Sequence, residues 1–236
     1  MFSNNSAKIN NKHTFRDYGL YVTNTNPVSP PEAKTEYIEI PGRNGAIDLT
    51  EALTGYTIYK NRIITLELGG RKAVSRWPSF MSEFLNEIHG KTVKIVFDDN
   101  PDYYYIGRAT VSDDYERGNE IARFTVTINA EPYKYSTLDS MDPWLWDPFS
   151  FADGVIQSYS NISVSGKLET RIVGSEMPVI PQFIVSNAMQ VIFNGKTYSL
   201  NAGVNKIYDI VLLNKEYDIT FVGNGTVSIS YKKGRL

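Results

Sequence analysis

Alternation of apolar and polar residues at every second position constrains this chain more than any other feature. Ile64, Leu66 and Leu68 share one parity, with Thr65 and Glu67 between them. Val93, Ile95 and Phe97 repeat the pattern, and so do Phe124, Val126 and Ile128. A two-residue period puts each triplet on one face of a strand. The polar residues in between leave the opposite face to water, as in antiparallel sheets with one buried side. In the second half, Val191 and Phe193 run into Asn194-Gly195, the signal of a two-residue hairpin. Tyr217, Ile219 and Phe221 share a face, and Val227, Ile229 and Tyr231 share another. Between these two sets Gly223-Asn224-Gly225 predicts a turn that sends the chain back on itself. The expectation is a mostly β chain.

One segment departs from that period. Trp77, Met81, Phe84, Leu85 and Ile88 recur at helical spacing over residues 75–89. Pro78 suits the first turn of such a helix, and Gly90 suits its C-terminal cap. His89 would then sit in the last turn, near the negative end of the helix dipole.

Regular patterning stops again at residues 139–153, where two Asp-Pro steps fall among Trp144, Trp146, Phe149 and Phe151. The predicted organisation is a domain over 1–136, a connector over 137–153 and a second domain over 154–236. The crowded aromatics predict an interdomain or intersubunit seam, with Trp144, Trp146 and Phe149 as its residues.

The chain offers little to catalysis. It has no cysteine, so thiolate nucleophiles and Cys-ligated metals are excluded. Its two histidines, His13 and His89, are far apart in sequence, and neither has a second His beside it. Asp98-Asp99-Asn100-Pro101-Asp102 opens like a calcium loop. However, Tyr103 stands where the loop needs Gly, and Ala109 where it needs a bidentate Glu. A solvated hairpin turn fits that stretch better. Asp113, Asp114 and Glu116 crowd one turn-like stretch instead of facing each other across a cleft. The expectation is no enzyme, no cofactor and no metal. Net charge is −2, which gives no basic footprint for gripping nucleic acid. The N-terminal MFSNNSAKINNKH has no apolar core, and no run is long and apolar enough to span a bilayer. No signal peptide and no membrane insertion are expected.

One order of short motifs is distinctive. Tyr18-Gly19-Leu20-Tyr21-Val22 and Pro30-Pro31 precede Pro41-Gly42-Arg43-Asn44-Gly45-Ala46-Ile47-Asp48-Leu49-Thr50. Arg62-Ile63-Ile64-Thr65-Leu66 follows. After the helix come His89-Gly90-Lys91, Asp98-Asp99-Asn100-Pro101 and the run from Tyr103 to Arg108. Near the C-terminus stand the stretch from Leu200 to Asn205 and that from Val227 to Tyr231. This order, over nearly the whole chain, resembles the distal tail proteins of siphophages, the phage tail component family.

The resemblance implies an N-terminal β-sandwich with one α-helix that builds a hexameric ring. It also implies a C-terminal galectin-like or carbohydrate-module-like β-sandwich. The implied partners are five further copies of the chain, the tail tube protein and a tail-associated tip protein, with DNA only in transit through the lumen. The implied location is the virion tail tip, assembled in the cytoplasm of the bacterial host. Within it, Pro41, Gly42, Arg43, Asn44 and Gly45 are the candidate interface element: two glycines for a tight turn, and an arginine able to reach across to a neighbour. The alternative is a host-recognition module that holds a glycan on Tyr198, Tyr208 or Tyr217.

Overall fold

The computed structural model describes residues 6–71, 74–112, 116–117, 121–141 and 159–236. The chain divides into two compact units, Met1–Lys134 and Tyr135–Leu236.

Unit 1 holds β1 (Ala7–Ile9), β2 (Lys12–His13), β3 (Leu20–Val22), β4 (Tyr37–Glu39), β5 (Ala46–Asp48) and β6 (Arg62–Arg71). After helix α1 (Trp77–Ile88) come β7 (Thr92–Phe97), β8 (Tyr103–Val111), β9 (Glu116–Arg117) and β10 (Ile121–Ala130). The main sheet runs β2-β1-β7-β8-β10-β6-β3, with β9 beside β10. Its ladders are antiparallel, and the long pair β6–β10 keeps Leu66 opposite Val126 and Ile64 opposite Ile128. All three alternating triplets of this half are buried in a single core. The two ends of the sheet meet at Thr14, which is fully buried. Its N–H donates to Ala7 O at 2.8 Å, and its own carbonyl accepts from Leu20 N–H at 2.8 Å. Its Oγ1 accepts from Ala7 N–H at 3.1 Å. One residue thus satisfies the backbone of β1 and leads into β3, and the sheet curls around its core.

Helix α1 closes that core with Trp77, Phe84 and Ile88, and Phe80 and Met81 pack against it. Leu85, expected among them, is on the solvent side at 38% exposure. Pro78 lies in the first turn. At the other end His89 turns to extended backbone, and Gly90 takes φ +73°, where a side chain would be strained. Gly90 N–H donates to Ala109 O at 2.8 Å. His89 Nδ1 accepts from Val111 N–H at 3.1 Å. The helix end is therefore stitched to β8, and this histidine serves a strand backbone where a dipole contact was expected.

The outer end of the helix is tied down by Glu87, which accepts from Lys12 Nζ and from the Tyr18 hydroxyl. Those two hydrogen bonds hold the Glu87 carboxyl below its ordinary range. Burial, and then Glu87 itself, push the Tyr18 hydroxyl up. A depressed carboxylate adds stability above its unfolded pKa, and that stability is lost as pH falls through the folded one. Glu87→Gln should therefore cost less than about 1 kcal/mol at pH 7, because the pair is well exposed. Its deficit should shrink once the pH drops below about 4. Urea unfolding of both proteins at pH 7 and pH 3 checks this; a deficit that grows with acid contradicts it.

Unit 2 takes up β11 (Lys134–Ser136), β12 (Ile162–Val173), β13 (Gln182–Val185), β14 (Met189–Phe193) and β15 (Lys196–Leu200). It continues with β16 (Gly203–Lys206), β17 (Glu216–Ser230) and β18 (Gly234–Arg235). A six-stranded sheet runs β15-β14-β17-β13-β16, with β12 on β17. Asn194 and Gly195, at φ 48° and 77°, make the tight hairpin of β14 and β15.

The predicted turn at Gly223-Asn224-Gly225 is absent. These residues lie inside β17, a strand of 15 residues. On one side β17 pairs continuously with β12, Gly223 opposite Gly166. On the other side its partner changes: residues 219–222 pair with β14, and residues 227–230 pair with β13. The glycines mark that change. A Cβ on Gly223 would lie 2.6 Å from Met189 Cβ, and one on Gly225 would lie 2.4 Å from Ser186 Oγ. Here glycine permits close approach of the departing chain.

Two tyrosines complete the core of unit 2. Tyr159 O–H donates to Arg171 O at 3.1 Å, and Tyr231 O–H donates to Val173 O at 2.7 Å. Each buried ring keeps its hydroxyl bonded to β12, which lets a polar tip enter an apolar core.

Candidate assembly interface

Pro41 to Gly45 form the tip of a two-stranded ribbon. Tyr37 pairs with Asp48, Ile38 with Ile47 and Glu39 with Ala46. At the tip, Arg43 N–H donates to Ile40 O at 3.1 Å, and Gly42 has φ +82°. Proline second and a positive-φ glycine third define a type II turn. Gly45 follows at φ +77° with open space where a Cβ would go. The local sequence therefore fixes the tip, and it presents the Arg43 side chain to solvent.

Among the described residues the two strands of the ribbon pair only with each other. Every residue from Lys34 through Ala46 is exposed. Ile38 and Ile40 share one side of the ribbon with Ile47 and Leu49, and remain 46% and 43% exposed. Leu53, just beyond it, is 97% exposed. A lone hairpin is marginal in water, and aliphatic side chains on such a hairpin gain nothing from facing solvent. The ribbon thus carries a stripe of exposed aliphatic side chains.

Other sequence candidates resolve differently. His13 Nε2 lies 3.0 Å from Asp98 Oδ2, while its Nδ1 accepts from Phe15 and Arg16 N–H at 3.1 and 3.2 Å. The ring joins the β1–β2 corner to the β7–β8 turn, and both its nitrogens are engaged. Asp98 to Asp102 make that hairpin turn. Among the described residues no group of three or more His, Cys, Asp or Glu could hold a metal ion. Asp113 and Asp114 lie outside the described residues, and of Glu116 only the backbone is described. Trp144, Trp146 and Phe149 also lie outside them.

Of the three tyrosines proposed for a glycan, Tyr217 is buried, and its hydroxyl accepts from Leu213 N–H at 2.9 Å. Tyr198 is half-buried, and Tyr208 alone is open, at 71% exposure. Among the described residues no helix is long and apolar enough to cross a membrane.

Sequence reasoning singled out Pro41 to Gly45, which the structure places in a turn, and did not note the aliphatic side of the ribbon that carries them. The signal was present: Ile38 and Ile40 alternate before the tip, and Ile47 and Leu49 alternate after it.

Comparison with known proteins covers both units. A family model described as the phage tail protein RIFT-related domain matches residues 13–130. Among solved structures, the chain is similar to the Dit (gp 19.1) protein of phage SPP1, whose crystal structure is described as a paradigm of the hub adsorption apparatus in phages that infect Gram-positive bacteria. Identity is 13% and the TM-score 0.56, and the match covers 98% of this chain and 99% of that one. No curated protein matches the sequence.

Proposed function

The chain belongs to the phage tail protein family that carries the RIFT-related domain, and on that premise we propose that it is the distal tail hub of a long-tailed phage or prophage. As a phage tail protein it belongs to the virion tail. In this reading six copies close into a ring, which joins the end of the tail tube to the tip proteins and leaves a central passage for DNA. Assembly takes place in the cytoplasm of the host.

The observation that carries the reading is the end-to-end fold likeness, which spans both units with almost nothing left over on either chain. The physics is compatible with it. A ring of identical subunits needs a heterologous contact that closes on itself. A net charge of −2 lets copies approach with little repulsion.

The test is the mass of the purified protein by light scattering, with negative-stain images of the assembled species. Six copies of the 26.7 kDa chain in a ring with a central hole are expected. A particle of another symmetry, or a monomer that also fails to cap purified tail tubes, overturns the proposal.

Within that ring, Arg43→Ala should weaken assembly by roughly 10-fold or more while the monomer's melting temperature stays put, since truncating an interfacial arginine often costs more than 1 kcal/mol. Unchanged ring formation would remove Arg43 from the interface.

A further inference from the structure

A cleft of about 310 Å³, open to solvent, lies in unit 1 between the residue before β1, the end of β3 and the turn after β7. Val22, Pro27 and Phe97 give it apolar walls, and Ser6, Asn24 and Asp99 bring polar groups to it. The walls are fixed from behind. Phe97 pairs with Ala7 in the β1–β7 ladder, and its ring stands edge-on to Tyr105 at 6.1 Å between centroids. Pro27 O accepts from Thr65 N–H at 2.7 Å. The Asn24 side chain is engaged at both ends: Nδ2 donates to Thr65 O at 2.7 Å, and Oδ1 accepts from Glu67 N–H at 3.1 Å.

Two of the polar groups are not engaged. Ser6 is 3% exposed, and its Oγ has no hydrogen-bond partner. A buried hydroxyl left unpaired is uncommon and costs free energy. The backbone holds Ser6 in this place, since its carbonyl accepts from Asp98 N–H at 3.1 Å. The second free group is Asp99. Its neighbour Asp98 is taken by His13, whose Nε2 lies 3.0 Å from Oδ2. Among the described residues no cation and no hydrogen-bond donor meets the Asp99 carboxylate. It is also the single charged side chain among the described residues of the cleft.

We infer that this cleft takes a primary ammonium on a short aliphatic stem, the chemistry shared by a lysine side chain and a free alkyldiamine. The methylenes lie along Val22, Pro27 and Phe97, where they leave water. The ammonium has three protons to donate and no acceptor of its own. It gives one to the Asp99 carboxylate and one to Ser6 Oγ, the two acceptors without partners. A charge-assisted bond to Asp99 supplies most of the preference. An anion would meet Asp99 with like charge. An uncharged stem would fill the walls and leave Asp99 unpaired. One copy of the chain forms the whole cleft.

The probe is n-butylamine, which is protonated at pH 7, with n-butanol as its uncharged match. Titration into the full chain, followed by NMR, should shift the Val22 methyl signals saturably with both. Butylammonium should bind about 10-fold tighter, the scale of one charge-assisted hydrogen bond. Asp99→Asn keeps the shape of an exposed side chain, so it should melt with the wild type. It should bind butylammonium no better than butanol. Ser6→Ala should weaken butylammonium and leave butanol unchanged. Its melting temperature should not fall, because the hydroxyl it removes has no partner. Nα-acetyl-lysine amide and the diamine putrescine then distinguish the two sources, and the tighter ligand names the natural one. Butylammonium that binds no tighter than butanol overturns the inference. So does an Asp99→Asn protein that binds it as well as the wild type, or a titration in which the Val22 signals stay still.

Discussion

Replacing Phe84 with alanine should destabilise unit 1 by about 3–5 kcal/mol, near the top of the range for a buried aromatic. Phe84 is 1% exposed and stands at the centre of a ring cluster. It meets Tyr18 edge-on at 5.2 Å, Phe124 edge-on at 5.2 Å and Phe80 at 5.8 Å between ring centroids. Through those contacts it joins the helix to β10 and to the segment before β3. Alanine would lose the transfer energy of the ring and leave a void walled by rigid aromatics, which collapse poorly. The edge-to-face contacts add about 0.5–1.5 kcal/mol each beyond burial. Urea unfolding followed by circular dichroism should show the lost stability, with a melting temperature lower by on the order of 10 °C. Phe84→Leu, which refills most of the void, should cost well under half as much. A loss below about 1 kcal/mol for alanine would mean that α1 is not the lid of this core.

The positions that sequence periodicity fixed are those where one face of one element decides burial. The triplets at residues 64–68, 93–97 and 124–128 are buried in full because a two-residue period reads directly as one side of a sheet. Helix α1 was legible for the same reason, with the difference that Leu85 falls on the solvent side of the stripe. What the period cannot carry is which element lies alongside. His13 and Asp98 are 85 positions apart, and their contact follows from β1 pairing with β7. Arg62 shares the parity of Ile64 and is buried with it. Its guanidinium sits 5.5 Å from the Tyr105 ring centroid, and loss of water lowers its pKa. Alternation alone would have put a hydrophobe there. The ribbon shows the converse. Its sequence alternates like a buried strand, yet among the described residues of its unit none covers it, because burial is a property of neighbours and not of pattern.

Gly223→Val should cost unit 2 about 2–6 kcal/mol, and the value decides between two readings of the same three residues. If Gly223-Asn224-Gly225 were a surface turn, a side chain there would meet solvent. The penalty would then be the modest one of an unfavourable backbone angle, about 1 kcal/mol. Inside β17 two costs add. At φ +150° a β-branched residue is strained by roughly 1–3 kcal/mol. The new Cβ also meets Met189 Cβ at 2.6 Å and Met189 Cα at 3.2 Å, contacts that a flexible side-chain tip cannot relieve. Relief would have to come from moving β14 at the point where β17 exchanges it for β13, which adds roughly 1–3 kcal/mol of overpacking. Gly195→Val supplies the internal comparison. Gly195 also has positive φ, at 77°, but nothing lies within 4 Å of its Cβ position, so that variant carries the backbone term alone. Urea unfolding of the two variants beside wild type should place Gly223→Val at least 1 kcal/mol below Gly195→Val. Equal losses would mean that the strand does not pass Met189 as closely as described, and the partner change in β17 would need another cause.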